Sequence, residues 1–258
     1  MFNGEKVVDE IIKFIRNYFS DNHIKGVVIG ISGGKDSSVV ASLFSKAIGS
    51  ENVLGLWMPC HSNIDDEEDA YLVSKSLNIE LIEHDLTKTY DDYVNSIKLN
   101  NKVNDKFLID ANINIKSRLR MMTLYYYASM MSKIKNGTYI VPGTSNKCER
   151  FVGYFTKGGD NVSDINILSD LTVSEVIKVG KYLGIPDKIC EKAPTDGLSN
   201  LSDEEKLGIK YSDIETFIYE DENHIKSTLD SNIYNKISEL HKKNLHKFNI
   251  PTWSKKWN

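Results

Sequence analysis

Residues 30–38 read "GISGGKDSS", directly after the apolar run "VVI", and the reading of this turn decides the fold. The run into it, "GVVIGIS" from Gly26, is short, β-branched and glycine-bounded, as a strand buried on both faces should be. Beyond it Val40, Leu43, Phe44 and Ala47 recur at helical spacing, so the turn joins a strand to a helix that the sequence predicts to open near Ser37.

"NVLGLWMP" from Asn52, "IELIEHDL" from Ile79 and "TYIVPGT" from Thr138 repeat the buried-strand pattern. Between them Ala70, Val73 and Leu77, and then Leu119, Met122, Tyr126 and Met130, recur at helical spacing. The Met and Tyr stripe is read as a helix's core face. Strand and helix alternating in this way predict an α/β fold, a doubly wound parallel sheet flanked by helices, in a single domain spanning residues 1–258. From Ser169 onward the strands stop and a helical C-terminal part begins. "LTVSEVIKVGKYLGIP" carries a capping box, Thr172 with Glu175, and is predicted to end at Gly184; Ser202 with Glu205 makes a second box. "KAPTDGLSNLS" from Lys192 reads as a loop, and the acids Asp65–Asp69 as a helix's first turn stabilised by its dipole.

In such sheets ligands bind beyond the carboxyl ends of the strands, where the opening turn lies. It is neither of two familiar phosphate motifs. A Walker loop needs Gly at Ile29 and Ser or Thr at Asp36, and the dinucleotide GxGxxG needs Gly at Ser32. The physics of an anion cradle remains: glycines admit backbone N–H groups to an oxyanion, serines add donors, and the helix N-terminus adds positive potential. Asp36 is misplaced beside bare phosphate, so it implies a cation between them, most simply Mg²⁺ with oxygen ligands.

The chain has 258 residues and a formal net charge of −4, which argues against a protein built to neutralise a long nucleic acid. No run has signal-peptide or membrane-spanning character, so the expectation is a cytoplasmic protein with no membrane partner. Cys60, Cys148 and Cys190 lack CxxC spacing and are read as buried free thiols. One asymmetry stands out: "HKKNLHKFNIPTWSKKWN" from His241 holds five lysines, two histidines and no acid.

"SGGKDSS" resembles the SGGxDS loop of the N-type ATP pyrophosphatases, which split ATP between its α and β phosphates. "VPGTSNKCERFVGYFTKGGDNVSDIN" from Val141 resembles the central signature of ammonia-dependent NAD synthetases within that superfamily. "NIKSRLRMM" from Asn114, "IPDKICEKAPTDGL" from Ile185, "SDEEKLGIKYSDIE" from Ser202 and His246-Lys247 continue it in order, over nearly the whole chain. The resemblance implies an adenine nucleotide alpha-hydrolase-like fold and a ligase that converts deamido-NAD, ATP and ammonia to NAD, AMP and pyrophosphate through an acyl-adenylate. It implies ATP contacts from Gly30, Ile31, Ser32, Gly33, Gly34, Lys35, Asp36, Ser37, Thr144 and Thr195, with Asp36 and Lys35 catalytic. Asp36 and Glu149 would hold Mg²⁺, and Arg118, Lys157, Asp164, His246 and Lys247 would contact deamido-NAD. It further implies a homodimer with the substrate site at the interface, small-molecule partners, and no nucleic acid. No glutaminase domain fits between Gly30 and Lys247, so free ammonia or a separate protein supplies nitrogen.

Three residues depart from the family pattern. Val173 stands where the family has an ATP-contacting lysine, leaving Lys35 or Lys178 as substitutes; Ile167 replaces Pro, and Phe248 replaces Arg. The alternatives left open are a paralogue amidating another carboxylate, a tRNA sulfurtransferase, and a degenerate binding module. Product formation separates them.

Overall fold

The structure is a computed structural model and describes residues 2–97, 105–192, 202–248, 251 and 253. Helix α1 (Gly4–Asp21) starts at Asn3, whose side chain accepts from the Lys6 backbone N–H, and leads into strand β1 (Ile24–Gly30). Helix α2 (Lys35–Ile48), β2 (Val53–Trp57), α3 (Ile64–Leu77), β3 (Glu80–Glu83), α4 (Thr87–Ser96), α5 (Asp105–Ile134) and β4 (Thr138–Ile140) follow. The strands form one parallel sheet in the order β3-β2-β1-β4, so β1 is central and its loop opens at the middle of the carboxyl edge. A two-residue pair, β5 (Pro142–Gly143) with β6 (Ile165–Asn166), extends that edge.

Successive side chains of a strand face opposite ways, and the two cores follow from that period. Val27 and Ile29 of β1 face one core with Ile15, Phe19, Leu43, Phe44 and Val73 from α1, α2 and α3. Val28, Leu54 and Leu56 face the other, against Leu119, Ala128 and Met131 of α5. Each aliphatic side chain buried in this way contributes about 1.5–3 kcal/mol. The doubly wound parallel sheet is therefore present, with strands where the apolar runs placed them.

Among the described residues no strand follows Asn166. Helix α6 (Lys147–Val152) lies between β5 and β6, and α7 (Val173–Tyr182), α8 (Asp187–Cys190), α9 (Asp203–Leu207), α10 (Tyr211–Glu222) and α11 (Ser231–Asn244) close the chain, with a 3-10 turn at Leu245–Lys247. A third core joins α6, α7, α10 and α11 through Cys148, Val152, Val173, Tyr211, Ile214 and Ile237. Both capping boxes form, at Thr172 with Glu175 and at Ser202 with Glu205. All three cysteines are free and buried.

Three readings are corrected. The helix after the opening turn begins at Lys35 with Gly34 as its N-cap, two residues before Ser37. The α5 stripe read as core is split: Leu119 is buried, but Met122 and Tyr126 are 56% and 67% exposed, because Leu119, Ala128 and Met131 define the stripe that meets the sheet. Of the acids read as a first helical turn, Asp65, Asp66 and Glu67 do open α3, but Asp69 lies beyond that turn, buried and ion-paired to Lys188 and Lys192.

Candidate active site

The turn after β1 is built by its own serines. Ser37 Oγ lies 3.1 Å from Ser32 Oγ and donates to the Gly34 carbonyl, while the Gly34 N–H donates to Ser32 Oγ at 3.2 Å and Ser38 Oγ donates to the Gly34 carbonyl at 2.7 Å. Gly33 sits at φ +76°, and an added Cβ would stand 2.6 Å from the Asp66 carbonyl oxygen of α3, so both conformation and space require glycine. The N-terminus of α2, a 14-residue helix, opens over this turn. Its first N–H groups lack partners within the helix and present positive potential to an anion.

A cavity of about 800 Å³ lies along the carboxyl edge, lined by Gly30, Ile31, Ser32, Gly34, Lys35, Asp36 and Ser37 of the turn, with Thr144 and Glu149 opposite. α6 brings Glu149 there. Asn146, fully buried, caps that helix: its Oδ1 accepts from the Glu149 N–H at 3.1 Å, its own N–H donates to Glu149 Oε2 at 3.1 Å, and its Nδ2 donates to Asp36 Oδ1 at 3.1 Å. One asparagine thus joins the carboxylate of Asp36, 110 residues away in sequence, to that of Glu149 in the helix it caps.

The electrostatics are strained in a chemically useful way. Burial, and then Asp36, push the Glu149 carboxyl well above its usual range, with Lys35 opposing. Burial alone would lower Lys35, but Asp36, whose carboxylate lies 3.4 Å away, and Glu149 hold it above its ordinary value. Asp203, also buried, adds a third negative charge nearby and lies 3.2 Å from the Tyr154 hydroxyl and 3.5 Å from that of Tyr211, each placed to donate. Such a gathering of carboxylates, two half-buried and one buried, suits a cation. Asp36 and Glu149 supply hard oxygen ligands, as Mg²⁺ prefers. Among the described residues no three His, Cys, Asp or Glu side chains are grouped so as to hold a metal ion.

The residues matched to deamido-NAD lie mostly apart from this centre. Lys247 lines the cavity, its Nζ donating to the Gly153 and Phe155 carbonyls at 2.7 and 3.0 Å, and burial lowers its pKa. Arg118, Lys157 and His246 form an exposed chain beside it: Arg118 Nη2 donates to the Lys157 carbonyl at 3.1 Å and Lys157 Nζ to the His246 carbonyl at 2.9 Å. Asp164 is occupied locally, its Oδ2 accepting from the Val141 N–H at 2.8 Å. Thr195 lies outside the described residues, as does part of the basic tail.

Val173 is the first residue of α7 and is packed in the third core. Lys178 does not replace a cation there, since its ammonium lies over the Phe2 ring, 5.5 Å from its centroid, where α7 meets α1. Lys35 does lie in the cavity. Residues that sequence reading missed include Asn146, Arg120, Asp203 and Lys206, all but the first lining the cavity. Asn146 had a signal, an Asn-x-x-Glu capping spacing before a helix. The others reach the site only through tertiary packing.

The family model described as NAD synthase matches residues 7–251. An NH(3)-dependent NAD(+) synthetase of Carboxydothermus hydrogenoformans is 37% identical over 250 residues, 96% of this chain and 97% of that protein. Another from Methanocaldococcus jannaschii is 40% identical over 256 residues, 96% of this chain and 95% of its own. Among solved structures, that of an NMN synthetase from Francisella tularensis superposes with a TM-score of 0.84 at 30% identity, covering 98% of this chain and 99% of its own.

Proposed function

The chain belongs to the NAD synthase family, and from that premise we propose that it is an ammonia-dependent NAD synthetase, a ligase that amidates deamido-NAD at the expense of ATP. The observation that carries the reading is the Asp36–Asn146–Glu149 bridge, buried at its asparagine and set against the opening turn in one cavity. A carboxylate pair facing a helix N-terminus suits a polyphosphate with its cation, and suits little else.

In the proposed reaction an oxygen of the nicotinate carboxylate attacks the α-phosphorus, and the bond from that phosphorus to pyrophosphate breaks. The nitrogen lone pair of ammonia then attacks the acyl carbon, AMP leaves with its oxygen, and one proton is released. The turn from Gly30 to Ser37, with Thr144 and Thr195, holds the phosphates, and Lys35 places its positive charge against the leaving pyrophosphate. Asp36 and Glu149 would hold Mg²⁺, which supplies charge neutralisation for that leaving group. Asn146 fixes the distance between the two carboxylates, so positioning contributes before any chemistry begins. Arg118, Lys157, Asp164, His246 and Lys247 would form the deamido-NAD side, with Lys247 lining the cavity and the exposed Arg118–Lys157–His246 chain beside it serving substrate shared with a second protomer. We take residues 1–258 as a single synthetase domain that acts in the cytoplasm as a homodimer. No helix of the described residues is long and apolar enough to cross a membrane.

The tRNA sulfurtransferase alternative is not favoured, since the relatives are named NAD synthetases. The test incubates the protein with Mg-ATP and ammonium and either deamido-NAD or the corresponding mononucleotide acid. NAD and pyrophosphate should form in equal amounts from deamido-NAD. Nucleotide binding without either product would sink the enzyme reading, and product from the mononucleotide alone would redirect it to another acceptor.

A further inference from the structure

The acidic first half of α3 does more than complement a helix dipole. Asp69 is 1% exposed, and its two oxygens take different lysines: Oδ1 lies 2.7 Å from Lys188 Nζ and Oδ2 lies 2.6 Å from Lys192 Nζ. Lys192 Nζ also reaches Asp66 Oδ1 at 2.7 Å. Burial would push the Asp69 carboxyl up, but the two lysines outweigh it and hold it below the usual range. A buried carboxylate of this kind needs both partners, because an uncompensated charge there is costly.

Two facts tie the cluster to the site. Asp66 and Lys192 both line the cavity. Gly33 of the opening turn packs on the same stretch of α3, its hypothetical Cβ 2.6 Å from the Asp66 carbonyl oxygen and 2.9 Å from Asp69 Cβ. Two aspartates and two lysines sum to no net charge, so the cluster brings no added attraction for phosphate. Its effect must be geometric.

We propose that Asp69 is a positioning residue for ATP: through Lys188 of α8 and Lys192 just beyond it, Asp69 clasps that segment to α3, and so fixes where the Gly33 backbone and Lys192 meet the nucleotide. This rests on the synthetase reading for the identity of the nucleotide and not for the clasp itself. A general loss of folding would weaken every substrate together. The clasp acts on ATP alone.

The test compares the full-length protein with Asp69→Asn and Lys192→Met, measuring Tm, calorimetric affinity for Mg²⁺ with α,β-methylene-ATP, and KM for ATP, deamido-NAD and ammonium. Both variants should bind the ATP analogue about tenfold more weakly and raise KM for ATP in step, with the other two KM values within twofold. Lys188→Met, which opens only the outer arm, should lose less. Unchanged analogue affinity in Asp69→Asn and Lys192→Met, or equal rises in all three KM values in proportion to lost Tm, overturns the proposal. If the wild type binds the analogue yet forms no NAD, the synthetase reading fails while the analogue affinities still decide on the clasp.

Discussion

At the scale of the residue, Asn146 separates two roles that a carboxylate pair would otherwise confuse. Asp36 stands at the start of α2, on the proposed phosphate cradle, whereas Glu149 completes the cap of α6; the Asn146 side chain donates to the Asp36 carboxylate and accepts from the Glu149 backbone N–H, and its own backbone N–H donates to the Glu149 carboxylate, each at 3.1 Å. Removing Asp36 removes a ligand, and removing Asn146 removes only its placement. Asp36→Ala should abolish turnover, and Asn146→Ala should lower kcat by about 10- to 100-fold while leaving pyrophosphate release coupled to NAD formation. Steady-state assays of both variants check this; retention of most activity by Asp36→Ala would refute the metal assignment. Val173 teaches the converse. Its place at the first turn of α7 was legible from the capping spacing, but its burial against Cys148, Ile209 and Tyr211 was not, because that core is assembled from segments far apart in sequence. A lysine there would need a different packing of α10.

At the scale of the element, the strands were readable because a strand covered on both faces is a short unbroken apolar run, and β1 and β2 have few polar positions to confuse the pattern. The long helix α5 was not. Its 30 residues carry apolar side chains all round, so helical periodicity identifies a helix without saying which stripe meets the sheet. Met122 and Tyr126, one turn apart and both exposed, form the stripe left over. An apolar stripe of this kind on a helix facing away from its own core fits a subunit contact. Met122→Asp with Tyr126→Asp should convert the proposed dimer to a folded monomer in analytical ultracentrifugation, with unchanged far-UV dichroism. A wild type that sediments as a monomer at all concentrations would remove the premise.

At the scale of the whole molecule, the site is a place where stability has been given up for function, and pH should expose it. The folded state raises the Glu149 pKa, so it binds a proton more tightly than the unfolded chain does. Stability without ligand should therefore fall as pH rises from the usual carboxylate value through the raised one. Bound Mg-ATP should displace that proton, abolish this slope and release the proton to buffer. Thermal melts across that range, with calorimetry in buffers of different ionisation enthalpy, check the sign; a ligand-free slope of the opposite sign would mean that another group dominates. Burial has a second effect, on the thiols. Cys60, Cys148 and Cys190 are all enclosed, and their surroundings raise every thiol pKa, that of Cys148 to about 12. Since the chain has only these three cysteines, the native surface is silent toward maleimides and mild oxidants. A single cysteine introduced at Tyr126 then becomes the one fast-reacting thiol, and its labelling rate, slow in concentrated protein and fast on dilution, becomes a direct reading of how α5 is covered.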